Sequence, residues 1–119
     1  VSYEEGRDFT QQIFQEHPDV DGIFAITDLV AVGVLAYCNE NKINIPKKVK
    51  VVGFSNWFMS QVITPKLSTV EQPSHEMGKV AFDLLLEEMT FRKEGEDFKT
   101  KTIELDTKVI IRESSCDFL

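Results

Sequence analysis

Two short polar clusters carry most of the hydrogen-bonding chemistry in this chain: Thr27-Asp28, and Ser55-Asn56 followed by Trp57. Hydroxyls, one carboxylate and one amide supply donors and acceptors together, a set suited to a polyhydroxylated ligand. The Trp57 indole can stack on a planar or sugar ring, although aromatics at such places more often pack in a core or an interface. Catalysis finds little support. Ser55 has no histidine near it, Asp28 has no partner carboxylate, and G-x-S-x-G, Walker and G-x-G-x-x-G motifs are missing. His17 and His75 have no second ligand at metal spacing. Cys38 and Cys116 are too few for a disulfide framework or a zinc site, and Cys38 lies in an apolar run where it reads as a small core hydrophobe. The expectation is a binding module with no catalytic residue, no metal and no cofactor.

Each polar cluster ends an apolar run. Val49 to Asn56, Val-Lys-Val-Val-Gly-Phe-Ser-Asn, begins with β-branched residues and reads as a short strand buried on both faces; Gly22-Ile23-Phe24-Ala25-Ile26 runs into Thr27-Asp28 in the same way. In open α/β sheets, ligands bind in the crevice outside the carboxyl ends of the strands, so both clusters aim at one pocket. The other elements follow from spacing. Ser2 and Glu5 have capping-box spacing ahead of Phe9, Ile13 and Phe14, and His17-Pro18 closes that helix. Asp28 is expected to cap a second helix over 29–39, which is apolar on every side and therefore needs cover from a second lobe or a second subunit. Residues 57–63 read as a short helical segment, 67–70 as a third strand, and 102–105 and 108–112 as further strands. Pro73-Ser74 opens the longest helix, with Met77, Val80, Ala81, Leu84, Leu85 and Met89 in an amphipathic stripe. Strands alternating with helices predict an α/β fold with a mostly parallel sheet, flanking helices and right-handed crossovers.

The 119 residues suffice for one ordinary domain, and 42% hydrophobic with 28% charged residues is a folding composition. A net charge of −7 leaves no basic face for a phosphate backbone, so this stretch is not expected to grip nucleic acid itself. The first residues are acidic and no apolar run approaches ~18 residues, so neither a signal peptide nor a membrane span is expected.

At these residues the pattern becomes that of a family. Residues 22–33, Ile45-Pro46, residues 49–56, Thr64-Pro65-Lys66-Leu67-Ser68-Thr69-Val70-Glu71-Gln72-Pro73, Met77-Gly78 and Ile110-Ile111-Arg112-Glu113-Ser114, in this order, closely resemble the last part of lactose/galactose-repressor (LacI/GalR) family transcriptional regulators. The resemblance implies a type I periplasmic-binding-protein-like domain, here incomplete and mainly its C-terminal lobe. Residues 1–72 and 106–119 would form that lobe, and 73–105 would belong to the other lobe of the intact protein. The stripe of that segment would then repack, on its own lobe or on another copy of the chain by segment exchange. The acid that follows the Gly-aromatic pair of the central strand contacts the effector in this family; that position is Ser55 here, and Thr27 replaces a frequent Asn. The resemblance further implies a homodimer interface of Val32, Leu35, Ala36, Met59, Val62 and Ile63.

The expected function is therefore the effector-sensing and dimerisation portion of a cytoplasmic repressor. Its small-molecule effector is a sugar or sugar derivative, bound by Thr27, Asp28, Ser55, Asn56 and Trp57. DNA is reached only through an N-terminal domain outside this sequence, and no membrane is involved. An exported sugar-binding protein of a transport system shares the fold and pocket and is the alternative.

Overall fold

The Ser2 hydroxyl accepts the Glu5 N–H at 3.1 Å and starts α1 (Tyr3–Glu16), which ends where His17 leaves helical geometry before Pro18. The computed structural model describes residues 1–118, and the further elements are β1 (Gly22–Phe24), α2 (Asp28–Glu40), β2 (Lys50–Val52), a 3₁₀ turn (Phe58–Gln61), β3 (Thr69–Glu71), α3 (Ser74–Lys93) and β4 (Lys108–Ile110). The chain divides into two compact units. One comprises Val1–Glu71 and the stretch that starts at Lys108; the other is Gln72–Thr107.

In the first unit β1 and β2 are parallel, with Ile23 opposite Val51. The parallel pairing continues on the other edge of β2, through a bridge between Val52 and Ser68 and a bond from Gly53 N–H to Ser68 O at 2.8 Å. The last pairing, β3 with β4, is antiparallel, because the chain leaves this unit along one strand and returns along the other. The central strand is not buried on both faces throughout. Val49 and Val51 are fully buried, whereas Lys50 is exposed and Val52 half-buried, an alternation that follows from the pleat.

The all-apolar second helix finds its cover inside the same unit, where α1 packs along α2. The approach is close enough to exclude side chains at two places: a Cβ on Gly6 would lie 2.3 Å from Val30 O, and one on Gly33 would lie 2.2 Å from Tyr3 O. Phe14 stacks on Tyr37 beside this crossing, and Arg7 pairs with Glu40. Ala31, Val34, Leu35 and Cys38 then close on Val49, Val51 and Leu67 as the core. Leu35, only 3% exposed, is thus used by its own unit and cannot serve the expected dimer interface. Val32, Ala36, Met59 and Ile63 are half-buried, and Val62 is exposed.

The second unit is α3 and the chain that follows it. Phe91 meets Phe98 edge-on at 5.7 Å between ring centroids, and Lys101 donates to Glu87 at 2.6 Å. No residue of α3 is buried, so the apolar stripe is not repacked within the chain. Residues 102–105, expected as a strand, carry no regular secondary structure. Their unit offers no strand to pair with among the described residues.

Candidate functional site

Thr27 is extended and its hydroxyl accepts the Val30 N–H at 3.3 Å, so Thr27 caps α2 in place of Asp28. Asp28 becomes the first helical residue, only 1% exposed. Its Oδ2 accepts the Trp57 N–H at 2.7 Å and its Oδ1 accepts the Thr69 hydroxyl at 2.6 Å. One carboxylate thereby ties the end of the β1 run to the loop after β2 and to β3. Gly53 is required by this arrangement, since a Cβ there would meet Asp28 Oδ1 at 2.3 Å. Backbone bonds add to the tie: Asp28 N–H donates to Phe54 O at 3.0 Å, and Ser55 N–H to Val70 O at 2.8 Å.

The loop itself is strained. Ser55 has φ 113° and Asn56 φ 52°, both in the left-handed region, and such residues cost on the order of 1–3 kcal/mol each unless their surroundings hold them. Here the surroundings do. Asn56 N–H donates to Thr69 Oγ1 at 3.2 Å, its Nδ2 donates to Glu71 Oε1 at 3.1 Å, and its Oδ1 accepts from Arg112 Nη2 at 2.9 Å. Arg112 Nη1 donates to Ser60 Oγ at 2.8 Å and to Leu67 O at 2.9 Å, and Ser60 in turn donates to Trp57 O at 2.6 Å. Beneath the loop, Ser114 Oγ donates to Val51 O at 2.6 Å and accepts the Ser68 N–H at 2.8 Å.

The five expected ligand residues therefore separate into two kinds. Asp28 and Asn56 are spent inside the molecule. Ser55 is exposed, Trp57 is 47% exposed with only its backbone tied down, and Thr27 retains a hydroxyl proton after capping. Phe24 and Phe54 meet edge-on at 6.5 Å beside them. Thr69, Ser60 and Arg112 were missed as members of this arrangement. Arg112 carried a signal, since a cation directly after the apolar run 109–111 needs acceptors from whatever that run packs against. Thr69 and Ser60 carried none, because the bonds that bring them to Asp28 and Arg112 span 41 and 52 positions.

Away from this loop, burial raises the Cys38 thiol to about 11. Among the described residues no three His, Cys, Asp or Glu gather as a metal site, and no helix is long and apolar enough to cross a membrane.

Comparison with known proteins gives a consistent result. Residues 2–115 match the model of the periplasmic binding protein-like domain. The ribose operon repressor of Halalkalibacterium halodurans is 32% identical over 112 residues, covering 94% of this chain and 33% of that protein. Among solved structures, a LacI family transcriptional regulator from Silicibacter pomeroyi superposes with a TM-score of 0.83 at 29% identity, over 98% of this chain and 40% of that one. The transcriptional regulator CelR, solved in complex with cellobiose, superposes with a TM-score of 0.87 at 28% identity, over 97% of this chain and 34% of that one. The chain spans about a third of the length of the curated relatives it matches.

Proposed function

The chain belongs to the periplasmic binding protein-like domain family, as part of the effector-binding domain of a LacI/GalR-type regulator, and from that premise we propose that it senses the effector and dimerises within a bacterial DNA-binding repressor. The observation that carries this reading is the strained loop 53–57. It stands at the carboxyl ends of parallel strands, where α/β proteins take small molecules, and leaves a hydroxyl and an indole outward while the Asn56 amide and the Asp28 carboxylate are tied inward. Ser55, Trp57 and Thr27 contact the effector; Asp28 and Asn56 hold the loop that presents them. The cellobiose complex of CelR supports a carbohydrate effector. The regulators found by comparison weigh against an exported sugar-binding protein and against an enzyme.

In the intact repressor, residues 73–105 belong to the first lobe, most of which lies outside these 119 residues, and DNA is held by a part that is also outside them, in the cytoplasm. Effector binding favours one lobe arrangement and so biases the protein between DNA-competent and incompetent states. The dimer face consists of Val32, Ala36, Met59, Val62 and Ile63, without Leu35. The test is calorimetric titration of the full-length protein with cellobiose and with ribose. Ser55→Ala and Trp57→Ala should each weaken the sugar that binds at least ~10-fold, or ~1.4 kcal/mol, with the melting temperature unchanged. Unchanged affinity in both variants would remove the site from this loop.

A further inference from the structure

We infer that Glu71 and Arg112 are positioning residues of the effector loop, acting through the Asn56 amide, which they hold polarised between two opposite charges. The inference rests on the reading of loop 53–57 as the effector's, and it adds what sets that loop's pose. All the groups concerned lie in the first unit.

The chemistry of the partners fixes the amide. The Glu71 carboxylate can only accept and the Arg112 guanidinium can only donate, so Nδ2 faces Glu71 Oε1 at 3.1 Å and Oδ1 faces Arg112 Nη2 at 2.9 Å. The positive end of the amide thus meets an anion and its negative end a cation. Hydrogen bonds with one charged partner are roughly twice as strong as neutral ones, and Asn56 has one at each end of its side chain.

The two charges are committed to this arrangement. The Arg112 guanidinium, half-buried, donates to Ser60 Oγ, Leu67 O and Asn56 Oδ1, all uncharged, and neither Arg112 nor Glu71 forms an ion pair among the described residues. A partly buried cation without a carboxylate partner depends on the dipoles aimed at it, because losing one leaves charge poorly solvated. Asn56 supplies one of those dipoles.

Their places in the chain give the network its consequence. Glu71 ends β3, where the chain leaves the first unit, and Arg112 follows β4 by two residues after the chain has returned. Asn56 lies between them at φ 52°, a conformation that a residue other than glycine keeps only while its surroundings hold it. Ser55 and Trp57 flank it. The register of β3 against β4 therefore passes to both effector contacts through one amide. An acid in its place would keep Arg112 and lose Glu71, having no proton to donate.

The experiment is amide exchange read residue by residue by NMR on the 119-residue chain, with no ligand present, so its outcome is independent of whether the loop binds a sugar. The Ser55 and Trp57 amides report the loop; the Val51 amide, bonded to Ser114 O at 2.9 Å in the core, reports the unit as a whole. Asn56→Asp should speed exchange at Ser55 and Trp57 by at least ~10-fold relative to Val51. Arg112→Lys, which keeps the charge and loses the planar fork, should act in the same direction. Adding Glu71→Gln to Asn56→Asp puts a donor where the acceptor was, and should return both amides to within ~3-fold of the unaltered chain. Loop amides no faster relative to Val51 in Asn56→Asp would overturn the inference. So would a double variant whose loop exchanges as fast as that of Asn56→Asp alone.

Discussion

Asp28 is the residue on which the site's shape depends, and its role is structural before it is chemical. A carboxylate 1% exposed and holding a backbone N–H and a hydroxyl cannot be truncated without stranding both. Asp28→Ala should therefore destabilise the chain by about 2–4 kcal/mol, seen as a lower urea midpoint. Ser55→Ala, on an exposed side chain, should stay within about 0.5 kcal/mol. Equal losses in the two variants would contradict the division between holding and contacting residues. The sulfur chemistry is equally separable. Burial lifts the Cys38 thiol from 9.0 to about 11, so a thiol reagent at neutral pH should modify the half-buried Cys116 first and reach Cys38 only on unfolding. Because the folded value is the higher one, the stability linked to this thiol is complete below about pH 9 and is lost as pH rises toward 11. Cys38→Ala should lack that alkaline decline in an unfolding series.

The helix pair α1–α2 is the element-scale feature that the rest of the first unit depends on. Its two backbones meet at Gly6 and Gly33, where a methyl group would sit 2.3 and 2.2 Å from carbonyl oxygens. Gly33→Ala must push the helices apart, so a loss of about 1–3 kcal/mol is expected, measured as a fall in melting temperature with helical content retained. Ile63 packs on the core, and a charge there would confuse unfolding with dissociation. Val62, 53% exposed, gives the cleaner test of the proposed dimer face. Val62→Glu in the full-length protein should shift sedimentation toward monomer while the melting of the monomer stays unchanged. An unaltered dimer would move the interface elsewhere.

At the scale of the whole molecule, the two units differ in how well they are completed. Met77, Phe82, Leu85, Leu86 and Met89 on α3 are each about half exposed, so covering them would add about 5 kcal/mol, half of what full burial of five such side chains gives. In the 119-residue chain the α3 amides should therefore exchange far faster than those of α2, and in the full-length protein the two helices should approach equal protection. Helices, their ends and the alternation with strands were legible in the sequence, because Ser2, Pro18 and the apolar spacing of α2 and α3 act over one to four residues. The family was legible too, from motifs in fixed order. What covers α2 was not legible, since an apolar helix states that it must be covered but not by what; only the close approach of Gly6 and Gly33 assigned it to α1 and withdrew Leu35 from the interface. The split of the polar cluster was decided by tertiary structure alone. Whether a carboxylate or amide faces a ligand or the protein depends on partners such as Thr69 and Arg112, 41 and 56 positions distant, and local spacing holds no record of them.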